Sequence, residues 1–404
     1  MEGHLVQFAL LLGVLGIAAA ISLVLRMPVV PLYIAAGVVL GGSFVEDEVV
    51  PFLGHLGIVF LLFAMGLEFS IRSIARSLSR LAGAGAIDLC VNFPVGLLVG
   101  LALGWSWLES LFLAGIVYMS SSAVVSKCIV DFGRAARPET ETVLQILVFE
   151  DLVIAVYLIL LTAFLPAAVG EESSAGGVLL SLLRSAVFVG LLMLLAFRFQ
   201  QPLERILGSQ SEEGFTLVLV SFVLLVASAG IAAGLSAEVG AFLAGLVLGS
   251  TSLKERSART LWPFMTLFAA LFFVSFGMSI ELGSVRGILG TTLLLVVLGF
   301  TTKTFGGYLA GRFWGHAPGQ SLVVGLSLVP KGEFSIVLAA LAAASVPADH
   351  GIAALSALYV FALSILGPIA MREADRIRGW LPQRPREGAE PLSDRPASAP
   401  TPPA

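Results

Sequence analysis

Charge is what this sequence has least of. Only 12% of its 404 residues are Asp, Glu, Lys or Arg, while 57% are hydrophobic; soluble domains average about 25% charged residues. Such a chain cannot cover a water-facing surface, and the composition predicts an all-α polytopic membrane protein. Four histidines and two cysteines are present. Cys90 and Cys128 lie in or beside apolar segments and suit neither a zinc nor a disulfide pattern. The histidines His4, His55, His316 and His350 sit near the ends of apolar runs. No His/Cys cluster or nucleophile–base pair emerges, which argues against an enzyme and against a resident cofactor. A net charge of -4 without a basic cluster gives no footprint for nucleic acid. The first apolar run follows Glu2, not a basic segment, and reads as a mature helix instead of a cleaved signal.

What is present is a series of long apolar runs. Broken by Pro, Gly and charge clusters, they predict about thirteen transmembrane spans. The first seven fall near 5–25, 29–43, 51–70, 80–103, 108–131, 140–165 and 176–198. The others fall near 214–234, 237–250, 260–281, 284–311, 320–345 and 350–371. From residue 372 to 404 the chain is polar and Pro-rich, the composition of a disordered cytoplasmic tail. Basic residues gather on alternate loops, among them Arg72, Arg76, Arg134, Arg137, Lys254 and Arg256. The opposite loops carry Glu46, Asp47, Glu48, Glu171 and Glu172, with Arg286 as the clear exception. The positive-inside rule then places the N-terminus outside and the tail in the cytoplasm of a bacterial inner membrane.

The chain repeats itself. Ala36-Gly37-Val38-Val39-Leu40-Gly41 reads like Ala244-Gly245-Leu246-Val247-Leu248-Gly249, and Phe63-Ala64-Met65-Gly66 is loosely echoed by Val274-Ser275-Phe276-Gly277. The offsets are 208 and 211 residues. Spans 1–6 and 8–13 become two six-helix copies joined by span 7, which a single crossing forces into opposite orientations, as in many secondary transporters.

Against this apolar background, Glu150 and Asp151 stand out inside the run from Val143 to Leu165. A carboxylate at such depth costs at least ~2.5 kcal/mol on insertion scales, so it normally faces a cavity and has a function. Asp151 is the candidate carrier of a cation or proton. Ser120, Ser121 and Ser122 interrupt span 5, and Lys331-Gly332-Glu333, after Pro330, occupies the corresponding place in span 12. Pro removes a backbone donor and Gly weakens a helical turn, so a break there has a mechanism. Lys303 in span 11 needs a buried partner, for which Glu150 or Asp151 is available. Its repeat mate is Asn92, with Asp88 a turn away.

Together these residues carry a resemblance. Val148-Phe149-Glu150-Asp151, Ser120-Ser121-Ser122-Ala123-Val124-Val125, Gly240-Ala241-Phe242-Leu243-Ala244-Gly245, Phe272-Phe273-Val274-Ser275-Phe276-Gly277-Met278-Ser279 and Lys331-Gly332-Glu333-Phe334-Ser335 resemble the cation:proton antiporter-2 family. The likeness is greatest to its Kef-type and especially Kht-type potassium/proton antiporters, and runs from about residue 5 to 372. It implies a sodium/proton-antiporter-like fold with crossed, broken helices, acting as a homodimer. Dimerisation helices would lie mainly in 1–43 and 214–250, core helices in 51–165 and 260–371, and a linker helix at 176–198. Asp151 falls where the family binds its ion, and Ser120 to Ser122 and Lys331 to Glu333 where its helices unwind. Lys303 matches the basic residue facing the carboxylates. Kef proteins place Gln before the aspartate and electrogenic sodium/proton members place Asp, where this chain has Glu150. Kht-type systems use a separate cytosolic nucleotide-sensing regulatory subunit, the expected partner of a chain with only a short tail.

The function expected from residues and resemblance together is exchange of a monovalent cation, K⁺ ahead of Na⁺, for protons by alternating access at Asp151. The hydroxyls of Ser120 to Ser122 would replace part of the cation's water. Were Lys303 to keep Glu150 ionised throughout, one proton would exchange for one cation. The competing reading is a sodium-coupled organic-solute symporter of similar fold, which calls for more polar intramembrane residues than this chain supplies.

Overall fold

The computed structural model describes residues 2–25, 28–41, 49–68, 71–168, 175–198, 204, 208, 211–280, 282–345 and 351–379. The acidic residues 46–48, 171 and 172 and the segment from 380 onward lie outside the described residues, as do the side chains of Arg72, Arg76 and Arg286. Among the described residues the chain is helical. The first half comprises α1 (Glu2–Leu25), α2 (Val30–Leu40), α3 (Val49–Glu68), α4 (Ile71–Ala102), α5 (Trp107–Tyr118), α6 (Ser122–Asp131) and α7 (Pro138–Ala168). Then come α8 (Ala175–Arg198), α9 (Glu212–Ala232), α10 (Ala237–Gly249), α11 (Lys254–Met278), α12 (Leu282–Phe313), α13 (Pro318–Ser327), α14 (Glu333–Ser345) and α15 (Ile352–Gly379). Among the described residues, eight stretches are long and apolar enough to cross a membrane.

Turn chemistry is repeated as well as sequence. Before α5, Gly104 adopts φ 78° and Ser106 caps the helix, with Glu109 reaching back to the Ser106 N–H at 2.8 Å. Before α13, Gly315 adopts φ 79° and Gln320 reaches back to the Ala317 N–H at 3.2 Å. Each position in the second turn lies 211 residues after its mate in the first.

Close helix packing rests on small residues, which let backbones approach where lipid offers no hydrophobic drive. A Cβ added to Gly37 of α2 would lie 2.8 Å from Gly277 Cα of α11, and one added to Gly66 of α3 would lie 3.0 Å from Gly245 Cα of α10. Gly96 of α4 meets Ala114 of α5 in the way that Gly307 of α12 meets Gly325 of α13.

The helices sort into two groups by packing. Helices α1, α2, α3, α9, α10 and α11 pack on one another, α4 to α7 pack with α12 to α15, and α8 touches α7 and α10. Helix α15 also runs on through residues 372–379, which corrects the expectation that disorder begins at 372. Ion pairs hold this polar end: Asp375 binds Arg134 at 2.9 Å and Arg137 at 2.5 Å, and Arg378 approaches Glu139 at 3.5 Å.

Candidate functional site

Two helices break where they cross. Helix α5 stops at Tyr118, Met119 and Ser121 are extended, and α6 begins at Ser122. Opposite them, α13 stops at Ser327 and α14 starts at Glu333. The Ser121 N–H donates to Pro330 O at 2.8 Å, joining the two extended segments. The last carbonyls of a helix have no partner within it. Here the α5 carbonyls are met from the second segment. Lys331 Nζ donates to Val117 O at 2.6 Å and Met119 O at 2.5 Å, and Ser335 Oγ donates to Ile116 O at 3.0 Å. A fully buried lysine thus supplies donors to the carbonyl end of α5. Gly332 has room for no side chain, because an added Cβ would overlap Ser121 Oγ.

Glu150 and Asp151 are neighbours in α7, and a helix turns about 100° per residue, so they serve different surroundings. Glu150 is fully buried. Its Oε2 accepts from the Ser120 N–H at 2.5 Å, and its Oε1 lies 2.8 Å from Lys303 Nζ and 3.0 Å from Ser120 Oγ. The Ser120 hydroxyl also reaches Leu328 O at 2.7 Å. Lys303 has a second carboxylate partner in Asp88 Oδ2 at 2.7 Å, and Asn92 Nδ2 steadies Asp88 Oδ1 at 3.0 Å. Asp88, Asn92, Glu150 and Lys303 are each 0% exposed.

Asp151 turns the other way. It lines a cavity of about 630 Å³ between the two helix groups, with Ser122 and Ser126 of α6 and Glu333 of α14 on one side. Across from them are residues of α3 and α11, including Glu68 and Lys254 at the ends of those helices. Among the described residues no ion pair joins Asp151 to a basic side chain.

The structure therefore divides the residues singled out in the sequence. Asp151 and Ser122 share the cavity, whereas Glu150, Ser120 and Lys303 form a closed set behind it. Ser121 belongs to the crossover, where its hydroxyl accepts from the Val124 N–H at 3.3 Å and stands 3.5 Å from Glu333 Oε2. Lys331 and Gly332 are structural at that crossover, while Glu333 also faces the cavity. Sequence reasoning missed Asp88 as the second partner of Lys303 and Glu68 as a cavity residue. Each carried one signal, an acid in or at the end of an apolar helix.

A family model described as sodium/hydrogen exchanger, transmembrane, matches residues 9–372. The chain belongs to this family. It is 35% identical to the K(+)/H(+) antiporter subunit KhtU of Bacillus subtilis, over 93% of this chain and 94% of that one. It is 29% identical to the ammonium/H(+) antiporter subunit AmhT of Alkalihalophilus pseudofirmus, with the same coverage. Among solved structures, the sodium proton antiporter MjNhaP1 from Methanocaldococcus jannaschii superposes with a TM-score of 0.64 at 18% identity. That match covers 92% of this chain and 98% of the other, and it shows a shared fold. The motif resemblance to cation:proton antiporter-2 proteins is borne out by these matches. The protein is a multi-pass membrane cation/proton antiporter, a transporter and not a member of an enzyme class.

Proposed function

We propose that the protein exchanges a monovalent cation, K⁺ before Na⁺, for protons by alternating access at Asp151. One observation carries this reading. Asp151 faces the cavity and, among the described residues, forms no ion pair, while the adjacent Glu150 is tied to Lys303. A bare carboxylate is too costly to carry through a hydrocarbon layer. Asp151 crosses when neutralised, and either a proton or a monovalent cation neutralises it. The two ions compete for one group, and competition couples their flows without a separate gate. Ser122 and Glu333 supply nearby oxygens that replace part of the cation's water.

Movement takes place between the two helix groups, whose interface holds the cavity. The group α4–α7 with α12–α15 carries the site. The group α1–α3 with α9–α11 is the scaffold and dimer-forming unit, with α8 as linker. The packing supports moving residues 49–68 and 254–278 out of the core, where the sequence had suggested them, into the scaffold. Counting α5 with α6 and α13 with α14 as single broken spans gives thirteen crossings. The matched contacts of Gly37–Gly277 with Gly245–Gly66, and of Gly96–Ala114 with Gly307–Gly325, support two inverted six-helix copies. Basic loops put the N-terminus outside the plasma membrane, so the cavity end at Glu68 and Lys254 faces the cytoplasm. Both curated relatives are named as subunits, which supports a separate cytosolic regulatory partner for this chain as well.

The test is dequenching of a pH dye in everted vesicles, with K⁺, Na⁺, Rb⁺, Li⁺ and NH₄⁺ added in turn. The reading predicts a strong response to K⁺ that Asp151→Asn abolishes with the protein still inserted. A K⁺ response that survives in that variant excludes Asp151 as the carrier.

A further inference from the structure

Helix α3 ends on a residue that its own geometry disfavours. Apart from His55 it carries no ionisable side chain until Glu68, its last residue. The C-terminus is the negative end of a helix dipole, where a base is favoured and an acid is not. The base comes from another helix: Lys254 Nζ of α11 donates to the Glu68 main-chain O at 3.0 Å. A local rule broken beside a cavity points to use.

The charged residues that line the Asp151 cavity are Asp151 on α7, Glu333 on α14, Glu68 on α3 and Lys254 on α11. The first two belong to the helix group α4–α7 with α12–α15, so Glu68 is the carboxylate that lines it from the other group. Among the described residues the Glu68 carboxylate forms no ion pair, the ammonium of Lys254 lying on the main-chain oxygen instead. Other charges on helices packed against α3 are engaged elsewhere or solvated. Arg256 of α11 pairs with Glu212 of α9 at 2.9 Å, and Glu238 of α10 faces His55, far from Glu68 along α3, at 3.6 Å. Glu213 of α9 and Glu255 and Arg259 of α11 are exposed.

We propose that Glu68 is a positioning carboxylate for the cytoplasmic half of the cycle: fixed to the scaffold, it draws K⁺ or a proton into the cavity and favours either ion on Asp151 only while that cavity is open to the cytoplasm. This rests on the reading of Asp151 as the carrier. A second negative charge disfavours a bare carboxylate and so favours both of its neutralised forms. When the core carries Asp151 to the opposite face, Glu68 stays behind, and binding from that face does not feel it. K⁺ and the proton gain by similar amounts, so the competition between them is unchanged while the affinity of each rises.

The experiment uses the full chain in vesicles of both orientations, with the initial rate of K⁺-driven dye response followed against K⁺ concentration. In everted vesicles K⁺ meets the cytoplasmic face. There Glu68→Gln is expected to raise the KM for K⁺ several-fold at alkaline pH, where few protons compete, with little change in maximal rate. The gap should close as pH falls, because K⁺ and the proton have lost affinity together. Glu68 is exposed, so the gap should also shrink when choline chloride is added, the Debye length falling from about 10 Å at 0.1 M to about 3 Å at 1 M salt. Glu68→Asp, which keeps the charge, should restore most of the affinity. In right-side-out vesicles with an acidic lumen, where K⁺ meets the opposite face, Glu68→Gln should match wild type.

An unchanged cytoplasmic KM, an equal rise from both faces, or a fall in maximal rate alone overturns the proposal. If Glu68→Gln does not insert, Lys254→Gln, which removes the positive charge from the same mouth, must lower the cytoplasmic KM at alkaline pH, and a KM that rises or stays put is decisive against. Exchange that persists in Asp151→Asn in the same vesicles would instead sink the carrier reading itself, whatever Glu68 does.

Discussion

Gly37 on α2 and Gly277 on α11 lie backbone to backbone, and a Cβ on Gly277 would fall 3.0 Å from Gly37 Cα. Gly66 and Gly245 meet through corresponding atoms: the carbonyls that close on the pairs are Ile34 and Val274 in one, Phe242 and Phe63 in the other. Methyl groups forced into packed contacts cost about 1–3 kcal/mol. Gly277→Ala and its repeat mate Gly66→Ala should therefore lower the melting temperature in detergent by similar amounts. Gly13→Ala, with nothing within 4 Å of the added carbon, should leave it unchanged. A large difference between the first two would contradict equivalent packing in the two copies.

Lys331 should act through stability before transport. Lys331→Met deprives the carbonyls of Val117 and Met119 of their donor. A buried polar group left unpaired costs about 1–3 kcal/mol. Thermal unfolding followed by fluorescence should show Lys331→Met well below wild type and Lys331→Arg between the two.

The three serines should separate by readout. Ser122→Ala, beside Asp151 in the cavity, should raise the KM for the cation several-fold with little change in stability. Ser120→Ala loses a hydroxyl that serves Glu150 and Leu328, and should lower stability by about 1 kcal/mol with a smaller effect on KM. Equal KM effects from both would place Ser120 at the ion after all.

At the end of α15, Asp375 pairs with Arg134, whose side chain is only 4% exposed. Asp375 itself is 43% exposed, so solvent weakens the pair, and Asp375→Ala should cost about 1–2 kcal/mol, below the range for fully buried pairs. Hydrogen exchange over residues 372–379 should speed up in Asp375→Ala and stay unchanged when the exposed Arg376 is replaced by Ala.

Much of this was legible in the sequence. The helix breaks were, because Pro330, Gly332 and a run of serines each weaken a helix by a local mechanism. The separate surroundings of Glu150 and Asp151 follow from helix geometry alone. The choice of Glu150 and Asp88 as partners of Lys303 was not legible, since it depends on how α4, α7 and α12 cross and at what depth. The packing of α3 and α11 with α2 and α10 was hidden for a similar reason: their glycines announce close packing but not the partner. The helical residues 372–379 read as tail by composition, and it is the arginines of the α6–α7 loop that hold them.

The central claim is that proton and cation neutralise one carboxylate, Asp151, in turn. The direct measurement is the KM for K⁺ in proteoliposomes across a range of pH, with the same pH on both faces at the start. Competition predicts that KM rises in proportion to proton concentration on the acidic side while the maximal rate at saturating K⁺ changes far less. A KM that stays constant across that range, with the rate alone falling, would contradict a shared site.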